Sequence, residues 1–205
     1  MKKNFIDPLR SRKKKRVEQL YFTKDGIPLP SVIEISESGM CNRKCSFCPR
    51  SDPDYEHVNE FIPTALVSKM SKELAPHDYK GLILFSGFVE PLLDKNIYNL
   101  ISIIRKDLPN VQIEIISNGD VLNKARILKL FNAGLSAIII SIYDGDKEFN
   151  EMHDLFIESG ISKNQYEIRK RYLSEDQNFG LSLSNRGGMM ENAEYNIPSL
   201  SEPLN

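Results

Sequence analysis

Short apolar runs and longer amphipathic stretches alternate through the middle of this chain, a rhythm that predicts strands followed by helices. Residues 31–36 alternate apolar and polar side chains as a half-buried strand does, and 81–86 are almost wholly apolar, which suits a strand covered on both faces. Residues 111–116 and 137–142 continue the series; 166–173 read as a fifth strand and 181–184 as a sixth. Between them, 63–74, 95–106, 123–131 and 147–159 carry helical spacing. In the first of these, Leu66, Val67, Met70 and Leu74 share one face and Pro63 stands near the opening turn. This βαβα order predicts a parallel sheet with helices outside. Five or six such units are too few to close an eight-stranded barrel, so the expected fold is α/β, an open, partial parallel β/α barrel of about six βα units. In such sheets ligands lie beyond the carboxyl ends of the strands, which directs attention to the loops that follow each one.

A chain of 205 residues, 40% hydrophobic and 27% charged, fits one domain with a real core. Its net charge of -1 gives no long-range attraction to nucleic acid. Lys2, Lys3, Arg10, Arg12, Lys13, Lys14, Lys15 and Arg16 crowd one end, so 1–30 read as a basic arm, 31–190 as the barrel domain and 191–205, with Pro198 and Pro203, as an irregular tail. No run approaches the ~18 apolar residues of a membrane span, and no apolar stretch follows the N-terminal charges as in a secretion signal. The expectation is a cytoplasmic protein with no membrane partner. Three cysteines are an odd number, which argues against a disulfide framework and for metal or catalytic sulfur.

All three fall in one window, Cys41-Asn42-Arg43-Lys44-Cys45-Ser46-Phe47-Cys48, directly after the first predicted strand. The C-x3-C-x2-C spacing suggests a cluster of iron and sulfide: three thiolates hold three irons of a cubane and leave the fourth without a protein ligand, open to a substrate or cosubstrate. A structural zinc site of Cys3His type, using His57 or another histidine, is the alternative. Arg43 and Lys44, between the ligands, offset the negative charge of a thiolate-bound cluster or simply stand in solvent.

With Phe47 before the last cysteine and the whole loop after a first strand, the window resembles the cluster-binding loop of the radical SAM superfamily, and the resemblance extends over about residues 30 to 190. It implies an enzyme in which Cys41, Cys45 and Cys48 hold a 4Fe-4S cluster, S-adenosyl-L-methionine chelates the fourth iron, and the Phe47 backbone lies against adenine. An electron from the reduced cluster then cleaves the sulfonium, and the 5'-deoxyadenosyl radical takes a hydrogen atom from the substrate. The protein's share is to position the reacting carbon and exclude solvent.

Later loops extend the likeness. Ser86-Gly87-Phe88-Val89-Glu90-Pro91 is similar to the family's S-G-x-G-E-P segment, which implies methionine-binding roles for Gly87, Phe88, Val89 and Glu90. Val89 stands where the family has glycine, and its branched side chain is expected to weaken binding there. Ser117-Asn118-Gly119 resembles the T-N-G turn, and Ser141 to Asp144 the S-x-D-G ribose-side segment, with Tyr143 near the substrate face. Arg169 and Arg171, two apart on a predicted strand, point to one face; if that face is the interior, they imply an anionic partner, either the carboxylate of S-adenosyl-L-methionine or an acid or phosphate of the substrate. Ser184 to Gly188 resembles the exit from the barrel in relatives with a SPASM extension, yet no cysteine follows Cys48. The expectation is a shortened relative or a fragment, without an auxiliary cluster in this sequence. The resemblance favours a small polar, carbohydrate- or cyclitol-like substrate, leaves a peptide open, and implies an electron donor such as flavodoxin or ferredoxin. A catalytically inactive metal-binding or partner-binding domain is the competing reading.

Overall fold

In the computed structural model, which describes residues 18–174 together with Gln177 and Gly180, the main sheet has five strands, all parallel. The strands β3 (Val32–Ile35), β4 (Leu82–Phe85), β5 (Gln112–Ser117), β6 (Ala137–Ile142) and β7 (Tyr166–Lys170) lie side by side in chain order. Helices α1 (Thr64–Leu74), α2 (Ile97–Asp107), α3 (Lys124–Asn132) and α4 (Asp146–Glu158) make the crossovers. Because the order never reverses, crossovers of one hand stack these four helices on the same face and, among the described residues, leave the other concave face uncovered by helix, the arrangement of a partial barrel. The expected fold class and four of the expected strands are present within a residue or two. β7 stops at Lys170, short of the expected 173, although the Arg171 N–H still reaches Ile142 O at 2.7 Å. The sixth strand expected at 181–184 and the exit segment 184–188 lie outside the described residues.

Inside the region expected as a basic arm, β1 (Tyr21–Phe22) and β2 (Pro28–Leu29) form a small antiparallel pair, and Tyr21 packs edge-on against buried Tyr79. Two-residue strands carry too little periodicity to be read from sequence.

The register sorts each strand's residues between the two faces. Ile33, Ile35, Ile83, Phe85, Ile113, Ile115, Ile138, Ile140 and Ile142 face the helices and join Leu100, Ile101, Ile104, Ile127, Leu130 and Phe156 in one apolar core. Their alternates, Glu34, Ser36, Ser86, Glu114, Ser141, Glu167 and Arg169, occupy the concave face above Leu82, Leu84, Ala137 and Ile139. Helix starts are marked locally: the Asn123 side chain accepts the Arg126 N–H at 2.9 Å, and Asp146 and Glu148 sit in the first turn of α4, where the helix dipole favours acids.

Candidate active site at the strand ends

The cysteine loop is built into the top of the sheet before the first cysteine is reached. Beyond β3, Ser36 Oγ donates to Ser86 O at 2.9 Å. Residues 37–39 are then pinned against 60–62: the Ile62 N–H meets Glu37 O at 2.7 Å, the Gly39 N–H meets Glu60 O at 3.1 Å, and Ser38 bridges to Phe61. The Glu90 N–H donates to Met40 O at 2.7 Å, which joins this loop to the one after β4. The Cys48 N–H closes on Cys45 O at 2.9 Å, and a single 3-10 turn at Pro49–Ser51 follows, with Ser51 Oγ donating to Cys48 O at 2.8 Å.

All three cysteines are free thiols, half-buried on this loop. Burial raises the Cys41 thiol, and burial together with the neighbouring cysteine sulfurs pushes Cys45 up to about 11. Such a crowd of sulfurs becomes thiolate only when a metal cation takes up the charge. Among the described residues, no three His, Cys, Asp or Glu side chains converge as ligands of one ion. His57 faces the Arg50 guanidinium, Nδ1 to Nη2 at 3.1 Å. Three soft donors on one loop fit a cluster with one iron per sulfur and one iron left open.

Glu90 is the hub of the next layer. It is 1% exposed, and its Oε1 accepts Ser117 Oγ at 2.7 Å and the Leu92 N–H at 3.0 Å while Oε2 accepts the Asn118 N–H at 2.7 Å. Burial raises its pKa and these three donors oppose the rise. Its carboxylate therefore ties the loops after β4 and β5 together. Asn118 Nδ2 carries the connection to Asn42 Oδ1 at 2.8 Å, inside the cysteine loop. Gly87 has φ 125°, and a Cβ there would run into the Ser36 side chain, so glycine is required. Gly119 is also left-handed, at φ 79°, with Ile140 and Met152 filling the space a side chain would need. Val89, by contrast, is not among the residues with positive φ. Position 89 therefore lies outside the left-handed region that favours glycine.

On the other side of the mouth, Ser141 of β6 is buried and its Oγ accepts from Arg169 Nη2 at 2.9 Å, across the β6–β7 register. Tyr143 continues the same face. Burial, with the neighbouring Cys45, raises its phenol, and the hydrogen bond with Ser141 and the positive charges of Arg171 and Arg169 partly oppose the shift. Arg171 also donates to Gly180 O. The Tyr143 ring stacks on Phe47 with centroids 5.9 Å apart. The loops that carry the expected site residues Phe47, Gly87, Phe88, Val89, Glu90, Ser117, Asn118 and Ser141 are thus linked to one another at the strand ends, with Arg169 bonded to Ser141.

Two arginines make contacts that their sequence positions do not announce. The Arg43 side chain pairs with Asp120 and Asp144, its backbone N–H approaches Cys41 Sγ at 3.5 Å, and its positive charge opposes the rise of the Cys45 thiol. These pairs hold the Asp144 carboxyl below its usual range. Lys44 is exposed. Arg50, which the motif did not single out, is 7% exposed; its Nη1 donates to Gly39 O at 2.8 Å and Phe88 O at 3.3 Å, pinning the cysteine loop to the β4 loop. Its only sequence signal is its place two residues after Cys48.

The comparisons with known proteins agree with this geometry. The family model of the Radical SAM superfamily matches residues 35–188. The S-adenosyl-L-methionine-dependent 2-deoxy-scyllo-inosamine dehydrogenase of Niallia circulans is 31% identical over 173 residues, 84% of this chain and 64% of that protein. A crystal structure of BtrN in complex with AdoMet and 2-DOIA is similar with a TM-score of 0.64 and 28% identity, over 83% of this chain and 64% of that one. Polyhistidine-tagged anSMEcpe with bound AdoMet gives a TM-score of 0.51 at 17% identity, over 67% of this chain and 41% of that one, a likeness of fold alone. The chain spans just under two thirds of the length of the first two relatives.

Proposed function

Because this chain belongs to the radical SAM superfamily, we propose that it binds a 4Fe-4S cluster through Cys41, Cys45 and Cys48 and abstracts a hydrogen atom from a small polar substrate of the cyclitol or amino-sugar kind. The observation that carries the proposal is the set of three half-buried thiols on a loop clasped to the strand ends by the Glu90 N–H and by the Asn118 side chain. When bound, the cluster supplies the electron that splits S-adenosyl-L-methionine into methionine and a 5'-deoxyadenosyl radical.

The protein's residues orient and shield. The backbone from Gly87 to Val89 offers polar groups to the methionine end at the point where Gly87 allows close approach. Ser141 and Arg169 form a preset donor pair suited to the ribose or the carboxylate. Phe47, backed by Tyr143, presents an apolar wall beside the cysteines that suits adenine. The substrate preference rests on the concave face, where Glu34, Glu114, Glu167 and Arg169 offer partners to a polyol or its ammonium group, as well as on the named substrate of the Niallia circulans relative. An electron donor such as flavodoxin or ferredoxin supplies the reductant.

Anaerobic reconstitution with iron and sulfide tests this reading. The expected result is a brown protein that releases 5'-deoxyadenosine when given dithionite and S-adenosyl-L-methionine, with both properties lost in Cys45→Ala. A colourless wild type that leaves S-adenosyl-L-methionine intact sinks it.

A further inference from the structure

Arg43 makes an unusual set of contacts for a residue between two metal-binding cysteines. Its Nε donates to Asp120 Oδ2 at 2.7 Å and its Nη2 to Asp120 Oδ1 at 2.5 Å, a two-pronged grip on the loop after β5. Its Nη1 and Nη2 reach Asp144 Oδ1 and Oδ2 at 3.2 and 2.8 Å, a second grip on the loop after β6. Nη2 also lies 3.5 Å from Glu148 in the first turn of α4, and Glu148 Oε2 in turn accepts the Asp144 N–H at 3.1 Å. The guanidinium stands 5.1 Å over the Tyr143 ring, which also stacks on Phe47. Asn42 repeats the link with a 2.7 Å bond to Asp120. The side chains of Arg43 and Asp120 are 19% and 22% exposed, so that pair is partly shielded from bulk water, whereas the Asp144 pair stands at the exposed rim.

We infer that Arg43 is a positioning residue that closes the cysteine loop onto the two following strand ends and so sets the Phe47–Tyr143 wall of the cofactor site before any cluster is present. The planar fork is what the geometry uses: two carboxylates from different loops are each met by two nitrogens, which a lysine ammonium cannot reproduce. The motif fixes the cysteines, whereas the residue two places after the first of them fixes where the loop points. This role rests on the proposed cofactor chemistry only for its consequence; the closure itself belongs to the metal-free chain.

The test compares wild type with Arg43→Ala and Arg43→Lys. In metal-free protein, amide exchange over residues 41–48 is expected to rise at least tenfold in Arg43→Ala and to be restored only in part by lysine. In reconstituted protein, the S-adenosyl-L-methionine concentration that half-converts the electron paramagnetic resonance signal of the reduced cluster is expected to rise about tenfold in Arg43→Ala. Should the alanine variant fold poorly, Asp144→Asn, at an exposed carboxylate, is expected to show both effects at reduced size. Variant exchange and cofactor midpoint within twofold of wild type overturn the inference, as does full rescue by lysine. If wild type takes up no cluster, the function proposed above fails while the exchange comparison still decides the role of Arg43.

Discussion

The two faces of the five-stranded sheet are made from alternate residues of the same strands and have nothing else in common. Toward the helices β6 presents Ile138, Ile140 and Ile142, each at most 1% exposed; toward the concavity it presents Ala137, Ile139 and Ser141, and β7 adds Glu167 and Arg169 there. The helix face is continuous and apolar and stabilises the fold by burial alone. Polar groups on the concave face and its rim gain less from burial and are held by specific partners, as Glu90 is by Ser117 and Asn118. A strand therefore serves both stability and chemistry without compromise, because the period of two sends each residue to one task.

Substitutions on the two sides should separate accordingly. The largest stability loss is expected from Phe85→Ala on the helix face, ~3–5 kcal/mol by chemical denaturation, with the remaining folded protein still binding cofactor normally. Glu90→Gln is the variant that joins the two regions: an amide presents a donor where the native carboxylate accepts only, so ~2–3 kcal/mol of stability and the cofactor affinity should fall together. If only one of the two changes, the hub assignment is wrong.

Glu37 sharpens the contrast by pH. It is 0% exposed, and burial, with help from Asp94 and Glu90, raises its pKa from 4.5 to about 8. The native state then holds a proton that the unfolded chain releases between those values, so this group's contribution to stability is complete below pH 4.5 and lost as pH rises through 8. Glu37→Gln should add ~1–3 kcal/mol at pH 8 and little at pH 5, read from denaturation midpoints at both. The smallest effect is expected from Val89→Gly, which should cost ~0.5–1 kcal/mol of stability and leave cofactor affinity within about twofold, because the backbone at 89 does not need glycine.

The helix face was legible in the sequence because burial leaves a periodic trace: the run 137–142 and the amphipathic spacing of 63–74 each predict an element that the fold contains. The cysteine loop was legible because its spacing is short and local. What holds that loop was not, since Arg43 meets Asp120 and Asp144 across 77 and 101 residues, and no local pattern announces a pairing of that span. Arg50 and Glu37 were missed for the same reason, because the burial of a lone charge is decided by the loops that fold over it. Glu90 was found by its motif, but its use as a tie between loops follows only from the positions of Ser117, Leu92 and Asn118.

The central claim, that Cys41, Cys45 and Cys48 leave one iron open to S-adenosyl-L-methionine, is tested most directly by electron paramagnetic resonance of the reduced, anaerobically reconstituted protein before and after cofactor is added. The account predicts a 4Fe-4S signal whose g-values move on addition of S-adenosyl-L-methionine, and whose nitrogen hyperfine coupling follows isotopic labelling of the methionine amino group. A signal indifferent to the cofactor, or an iron-free protein, would contradict it.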